Sequence, residues 1–160
     1  MTTFSATVKS TADISAPREA VWAALTDPEL LPKLTPLLTS ITTDGDRWRW
    51  SMTCISALGV SIAPTFTEKM TFEEPHRIVY THQPPSGTRE RAGAEGVYEL
   101  TEISGGTHLA IELTLCVDLP LPHFAAPAVQ GVLYSMMMRT GQRFSANLLR
   151  HLGARELTAA

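Results

Sequence analysis

Apolar and polar residues alternate along part of the chain in the way that a half-buried strand requires. The clearest alternation runs over residues 107–119, where one face carries Leu109, Ile111, Leu113, Leu115 and Val117. A period of two residues places successive side chains on opposite faces of a strand. We therefore predict a strand here with one face turned toward a core.

Six further segments have strand-like composition and are bounded by turn signals. Asp44-Gly45, Ala57-Leu58-Gly59 and Ser104-Gly105-Gly106 are typical of tight turns between neighbouring strands. The predicted strands cover residues 4–14, 37–43, 46–55, 60–72, 76–82 and 96–103. Short connections between successive strands imply an antiparallel sheet, here of seven strands.

Two short helices are predicted between the first and second strands. Pro17 presets the backbone for a helix over residues 17–25, with Val21, Trp22 and Leu25 as its buried stripe. Asp27-Pro28-Glu29 combines a carboxylate cap with a proline and predicts a second short helix that stops near Pro32.

A long amphipathic helix is predicted over residues 125–152, with a length of about 40 Å at 1.5 Å per residue. Arg139, Gln142, Arg143, Ala146 and Arg150 mark its polar face. The apolar face carries Leu133, Met137, Thr140, Gly141, Phe144, Leu148 and Leu152.

These elements predict an α+β fold in which a curved seven-stranded antiparallel sheet wraps around the long C-terminal helix. The helix alone does not fill such a sheet, and the remaining gap is expected to form a ligand pocket. The length of 160 residues fits one domain, assigned to residues 1–153, followed by a frayed tail over residues 154–160.

Charge and composition narrow the class of function. A net charge of −3 provides no basic surface for nucleic acid, and no apolar stretch approaches the roughly 20 residues that span a bilayer. The first residues lack a signal-peptide pattern, so a cytoplasmic location is expected. Cys54 and Cys116 are interpreted as buried free thiols, and no histidine pair has metal-ligand spacing, so neither a metal nor a cofactor is predicted.

The arrangement resembles the helix-grip fold of the START-like, or SRPBCC, superfamily, which includes polyketide cyclases, birch-pollen-allergen-like proteins and lipid-transfer domains. This resemblance implies a cavity between the sheet and the last helix. The residues that carry it are Ile14-Ser15-Ala16-Pro17, Val21-Trp22, Leu25-Thr26-Asp27-Pro28-Glu29, Glu74-Pro75-His76-Arg77-Ile78-Val79-Tyr80 and Gly105-Gly106-Thr107-His108-Leu109.

Trp48 and Trp50 share one face of a strand and are candidates for a flat wall that contacts an apolar ring. Two core aromatics that fill the space between sheet and helix are the alternative interpretation.

Glu68 interrupts an apolar row that includes Phe66 and Met70. A carboxylate on an apolar face has to be paired, protonated or wet, so Glu68 is a candidate to orient a ligand or act as a general base. A bulge near Pro64 would reverse the strand's faces and expose Glu68 instead.

Tyr80, His82 and Tyr98 are the other candidate acid-base groups. In cyclase-like relatives such side chains commonly project into the cavity and polarise a carbonyl or carry a proton, as the resemblance implies. A satisfied core tyrosine and a histidine at the rim are the alternative interpretations.

The predicted ligand-binding set combines these strand residues with the apolar face of the helix. Thr140 and Gly141 are small and leave room there, and Met137 is suited to an adaptable wall. The loops 84–91 and 119–127 are expected to frame the mouth, with Arg89 and Arg91 as candidates to meet an anionic group. The complete set is Trp48, Trp50, Phe66, Glu68, Tyr80, Tyr98, Leu113, Leu133, Met137, Gly141 and Phe144.

Three functions follow from these observations. The first is binding of a hydrophobic or amphipathic small molecule, such as a lipid, an isoprenoid or a polyketide-like compound, by a monomer or homodimer. The second is an enzyme resembling polyketide cyclases, in which Glu68, Tyr80, His82 or Tyr98 assists dehydration or enolisation. The third is a chaperone-interaction module, which a filled interior and an exposed apolar patch would indicate.

Overall fold

A seven-stranded antiparallel sheet and one long helix dominate the computed structural model, which describes residues 1–157. The helices are α1 (Arg18–Leu25), α2 (Leu31–Leu34) and α3 (Ala126–Leu152), with a 3-10 turn at His123–Ala125 before α3. The strands are β1 (Thr2–Ile14), β2 (Leu38–Asp44), β3 (Arg47–Met52), β4 (Ile55–Ala57), β5 (Val60–Ile62), β6 (Thr65–Glu73), β7 (Arg77–His82), β8 (Ala92–Ile103) and β9 (Gly106–Leu119).

The order of the main sheet is β1-β9-β8-β7-β6-β3-β2, and every neighbouring pair is antiparallel. The two short helices lie between β1 and β2 in sequence, and the long helix ends the fold, so the predicted α+β helix-grip architecture is confirmed. All 13 residues of β1 pair with β9, so the first strand of the chain lies beside the last.

The predicted strands 46–55 and 60–72 are each interrupted. The chain leaves the main sheet after Met52, and β4 and β5 form a separate two-stranded hairpin. Pro64 has no backbone N–H to offer a neighbouring strand, and β6 begins directly after it. At this point the Met52 N–H donates to the Pro64 carbonyl at 2.9 Å, and the Thr53 N–H donates to the Leu37 carbonyl at 2.7 Å.

The second short helix is shifted from its predicted position. The Asp27 carboxylate accepts hydrogen bonds from the backbone N–H groups of Glu29 (2.9 Å) and Leu30 (3.2 Å), so it caps the preceding turn. Pro32 lies inside the first turn of α2, and the prediction that it ends the helix is wrong. A proline is tolerated there because the first helical N–H groups have no acceptor within the helix.

The helix α3 packs across the sheet along the face that its sequence predicts. Its 27 residues bury Val129, Leu133, Met137, Phe144 and Leu148, and it ends at Gly153, whose φ of +62° is typical of a helix C-terminus. Of the residues that the structure describes, none belongs to a helix long and apolar enough to cross a membrane.

Residues 154–157 continue past α3 and bond to the end of β1. The Ser15 N–H donates to the Arg155 carbonyl at 2.9 Å, and the Leu157 N–H donates to the Asp13 carbonyl at 2.7 Å. This part of the tail, which was expected to fray, is thus tied to the sheet. The rest of that expectation concerns residues 158–160, which lie outside the described residues.

Both cysteines are free thiols, but the expectation that both are buried is wrong. Cys54 is exposed next to the β4–β5 hairpin, and Cys116 is half-buried in β9. The hairpin departs from the main sheet at this point, which removes Cys54 from the core.

The start of β9 approaches the end of β1 closely. The buried Thr107 hydroxyl donates to the Ala16 carbonyl at 2.8 Å. A Cβ atom on Gly106 would collide with the backbone carbonyl oxygen of Ile14, so only glycine fits at this position without a backbone shift.

We predict that Gly106→Ala lowers the free energy of unfolding by about 1 to 3 kcal/mol, because the β1–β9 junction has to move. Gly131→Ala is the matched control, because its Cβ meets no atom within 4 Å and alanine favours a helix by about 1 kcal/mol. Urea unfolding of both variants measures the difference. Equal stability of Gly106→Ala and the unmodified protein would contradict the prediction.

Candidate functional site

A cavity of about 180 Å³ lies between α3 and the inner face of the sheet. The helix contributes Met136, Met137, Thr140, Gly141, Phe144 and Ser145 to its wall. The rest of the wall comes from α2, the segment that follows it and all seven strands of the main sheet: Val8, Ser10, Leu31, Thr35, Leu37, Leu38, Trp50, Met52, Phe66, Glu68, Tyr80, Ala94, Tyr98, Ile111, Leu113 and Leu115.

Strand register explains why several of these side chains share one face. Trp50 pairs with Phe66 across β3 and β6, and Tyr80 pairs with Gly96 across β7 and β8. Opposed residues in antiparallel strands place their side chains on the same side of the sheet. The interruption of the strand at Pro64 lies before β6 begins. The alternation of side chains within β6 is therefore intact, and Glu68 stays on the inner face.

Glu68 is the buried charge-bearing group of this wall, with 0% of its surface exposed. Its Oε1 accepts a hydrogen bond from the Ala94 N–H at 2.8 Å, whereas Oε2 has no partner among the described residues. Burial raises the pKa of Glu68 to about 8. The Ala94 hydrogen bond opposes this shift, and the negative charges of Glu90 and Glu95 add to it. At neutral pH the carboxyl group is therefore mostly protonated and is able to donate a hydrogen bond.

Three aromatic residues extend this polar region. Trp50 stacks on Tyr80 with ring centroids 6.2 Å apart, and the Tyr80 hydroxyl donates to the Tyr98 hydroxyl at 3.4 Å. Burial raises the pKa of both tyrosines, so both hydroxyls are neutral at physiological pH. The buried Trp50 Nε1 finds no acceptor within residues 1–157.

Gly96 makes room for the tyrosine pair. A Cβ atom on Gly96 would lie 2.6 Å from the Tyr80 hydroxyl oxygen. The glycine interrupts the side-chain row of β8 and leaves space that the Tyr80 phenol occupies.

Two of the candidate ligand-binding residues lie outside the cavity wall. Trp48 is a core residue that packs against Phe72, with ring centroids 5.7 Å apart. Leu133 is completely buried within the core that α3 forms against the sheet. The core-aromatic interpretation therefore describes Trp48, and the cavity-wall interpretation describes Trp50.

His82 also lies outside the wall, although it was a candidate acid-base group. Its Nε2 is 2.9 Å from Oε1 of Glu90. Glu90 also accepts hydrogen bonds from the Thr67 N–H (2.8 Å) and the Thr67 hydroxyl (2.9 Å). Sequence reasoning missed Glu90, because it belongs to a polar loop that carries no signal for folding back onto β6.

The two segments that were expected to frame the cavity mouth lie outside the cavity wall. Neither the loop 84–91 nor the segment 119–127 contributes to the wall, and Arg89 pairs with Asp118 at 3.2 Å. The segment 35–38 faces α3 instead, and Leu37 there adopts a φ of +73°, which is strained for a residue other than glycine. A surface turn of this kind carries no periodic signal in the sequence.

Gly141 faces open space, since no atom lies within 4 Å of the position that a Cβ would take. Within the described part of the chain, no three His, Cys, Asp or Glu side chains gather in a way that could hold a metal ion.

The fold, with its cavity between sheet and helix, defines a START-like helix-grip domain. Residues 5–154 match the sequence profile of the family described as "Polyketide cyclase / dehydrase and lipid transport", and the chain belongs to this family. A comparison with curated proteins finds no match.

Solved structures with low sequence identity share the fold. A START superfamily protein from Mycobacterium smegmatis is 18% identical with a TM-score of 0.64, and the alignment covers 92% of this chain and 97% of that one. Zhui aromatase/cyclase from Streptomyces sp. R1128 is 12% identical with a TM-score of 0.67, covering 93% and 94%. The di-domain aromatase/cyclase StfQ of the steffimycin pathway is 12% identical with a TM-score of 0.64, covering 94% and 51%.

The raised pKa of Glu68 predicts a pH-dependent stability. Below pH 4.5, the ordinary pKa of a glutamate, both the folded and the unfolded state hold the proton. Between 4.5 and 8 only the folded state holds it, so this contribution to stability is lost as pH rises and vanishes above about pH 8.

The side chain in Glu68→Gln is neutral at every pH. We therefore expect the free energy of unfolding of Glu68→Gln, relative to that of the unmodified protein, to rise by about 2 to 4 kcal/mol from pH 5 to pH 8. Urea unfolding at several pH values measures this difference. Glu99→Gln, an exposed substitution on β8, is the control and should show no such gain. A Glu68→Gln difference that is constant with pH would contradict the assignment.

Proposed function

We propose that this protein binds a hydrophobic or amphipathic small molecule in the cavity between α3 and the sheet, as a cytoplasmic monomer or homodimer. The observation that carries this proposal is a pair of buried polar atoms in a largely apolar wall, Glu68 Oε2 and Trp50 Nε1, that have no partner within residues 1–157. A buried polar atom without a partner costs free energy, and a ligand oxygen that accepts from it removes this cost.

The donors indicate which ligand atoms the wall favours. The indole N–H of Trp50 only donates, and the protonated carboxyl of Glu68 donates as well. A carbonyl or hydroxyl oxygen on an apolar skeleton complements both groups. Apolar contact with the walls supplies most of the affinity in sites of this kind, and the few polar groups set the orientation.

The volume of the cavity limits what it encloses. An apolar protein cavity of about 150 Å³ is known to hold benzene, so a cavity of about 180 Å³ accommodates roughly one ring or a short acyl segment. A longer ligand extends beyond the cavity. Lipids, isoprenoids and polyketide-like compounds all contain an apolar segment or ring of this size. The family description names lipid transport beside polyketide chemistry.

Binding is tested with 1-N-phenylnaphthylamine, an uncharged dye that fluoresces in apolar surroundings. We expect saturable fluorescence and a change in Trp50 emission, because Trp50 is part of the cavity wall. Trp50→Phe should reduce the indole response while the dye still binds, since Trp48 lies only 6.1 Å from Trp50 and continues to report. An absence of saturable binding would contradict the proposed function.

A series at Gly141 tests whether the dye occupies this cavity. Gly141→Leu should weaken dye binding at least fivefold, because the new side chain enters the open space. Gly141→Ala makes a smaller change and stabilises the helix by about 1 kcal/mol, so it should bind nearly as the unmodified protein does. Gln130→Leu, an exposed position of α3 outside the wall, is the control. Equal affinity of all three variants would place the dye elsewhere.

Acid-base catalysis is the second candidate function, and the raised pKa of Glu68 favours it. A carboxyl group with a pKa of about 8 is suited to exchange protons near neutral pH, and the Tyr98 hydroxyl in the same wall is able to polarise a carbonyl. In an aldol-type cyclisation followed by loss of water, such groups would move a proton from carbon and protonate the departing hydroxyl. The interior cavity also favours a small-molecule role over the chaperone-interaction module.

Turnover is tested with a poly-β-ketoacyl thioester, with products followed by mass spectrometry for the loss of water. For an enzyme, Glu68→Gln should lower the rate at least a hundredfold and leave dye binding within a few-fold, because general acid-base groups contribute roughly 10² to 10⁴. Saturable dye binding without any enzyme-dependent dehydration product would support binding alone.

A further inference from the structure

A second concavity adjoins the inner cavity along α3. This outer groove has a volume of about 810 Å³ and lies between residues 127–143 of α3 and the segments 36–37 and 54–56. Leu37, Met136 and Thr140 line both the groove and the inner cavity. A ligand too long for the inner cavity therefore has an adjacent space to enter.

Two arginines give this groove its charge. Arg139 and Arg143 are one helical turn apart on α3, both are exposed, and both line the groove. Residues four apart project from the same side of a helix. No aspartate or glutamate lines the groove, and no ion pair among residues 1–157 includes either arginine.

This local positive charge contrasts with the chain as a whole, which carries a net charge of −3. The arginines also stand beside an apolar opening, at which Leu37 and Met136 form the shared wall. A guanidinium group matches the two oxygens of a carboxylate or phosphate with two parallel hydrogen bonds.

We propose that Arg139 and Arg143 bind the acidic head group of an amphipathic ligand whose apolar part occupies the inner cavity. This inference rests on the proposed binding function and adds a ligand class to it: a long-chain or ring-bearing organic acid. The apolar end enters first, and the acidic oxygens remain in the groove, where water still hydrates them.

The contribution of the arginines is expected to be moderate because the groove is open. Exposed ion pairs are worth about 0.2 to 1 kcal/mol each, so two arginines change an affinity by roughly two- to thirtyfold. Salt should screen this contribution, while binding of a neutral ligand should respond little.

The experiment compares ligands that differ only in the head group. Decanoate, decyl phosphate and decanol displace the bound dye, and the ratio of the decanoate Kd to the decanol Kd is measured for each protein variant. We expect Arg139→Gln/Arg143→Gln to raise this ratio about three- to tenfold, with the decanol Kd within twofold of that of the unmodified protein. The corresponding ratio for decyl phosphate shows which acidic group depends more on the arginines.

The control is Arg49→Gln/Arg150→Gln, which changes the net charge equally at two exposed positions outside the groove. Its ratio should equal that of the unmodified protein. Sodium chloride raised from 20 to 500 mM, screening lengths of about 20 and 4 Å, should raise the ratio in the unmodified protein and the control but not in Arg139→Gln/Arg143→Gln.

Three outcomes overturn the inference in distinguishable ways. If decanol displaces the dye and the ratios do not change in the groove variant, the groove does not recognise acids and the proposed binding function stands. If the dye and decanol both fail to bind, the proposed binding function fails and the inference fails with it. A ratio that rises equally in the control variant would assign the effect to net charge and also overturn the inference.

Discussion

The pairing of β1 with β9 is the constraint on which the rest of this structure depends. It joins the first strand of the chain to the last over the full length of β1, and β9 in turn pairs with β8. α3 follows β9 after a short connection and packs against β1, so the same pairing holds the helix over the sheet. Gly106 and Thr107 fix one end of this junction, where the backbone of β9 meets Ile14 and Ala16.

Within that frame, the chemistry of the cavity follows from a single buried acid. Glu68 lies on the inner face because β6 alternates without a bulge, and burial then keeps its carboxyl group protonated near neutral pH. Ala94 satisfies one oxygen only. Burying this carboxyl group lowers the stability of the fold, whereas a leucine at the same position would pack without that loss. Such a loss of stability is typical of functional sites. Trp50 and the tyrosine pair place further donors in the same wall.

The inner cavity and the outer groove differ in character. The inner cavity has a mostly apolar wall with neutral donors, whereas the outer groove carries two cations. An amphipathic ligand has the same division between a neutral, apolar part and a charged, hydrated part. Stacking the two regions along α3 lets one helix contribute to both, because Met136 and Thr140 stand at the boundary between them.

The sequence by itself determined the architecture, because local chemistry specifies each element. Alternation over residues 107–119 predicts β9, Pro17 sets the start of α1, and the apolar stripe with Leu133, Met137 and Phe144 predicts the buried face of α3. Short turns then leave an antiparallel sheet around that helix as the consistent arrangement. The inward placement of Glu68 was also an expectation of strand parity, provided that the break at Pro64 preserved it.

Only the tertiary structure decided which inward residues border empty space. Trp48 and Trp50 have the same residue type and the same strand face, yet one packs against Phe72 and the other lines the cavity, because their neighbours come from distant parts of the chain. The capture of His82 by Glu90 and the meeting of Arg139 with the segment that contains Leu37 likewise depend on contacts across long sequence separations. Periodicity indicates which side of an element is buried. A cavity, in contrast, forms where the side chains of several elements leave a space unfilled, and this depends on all of those elements together.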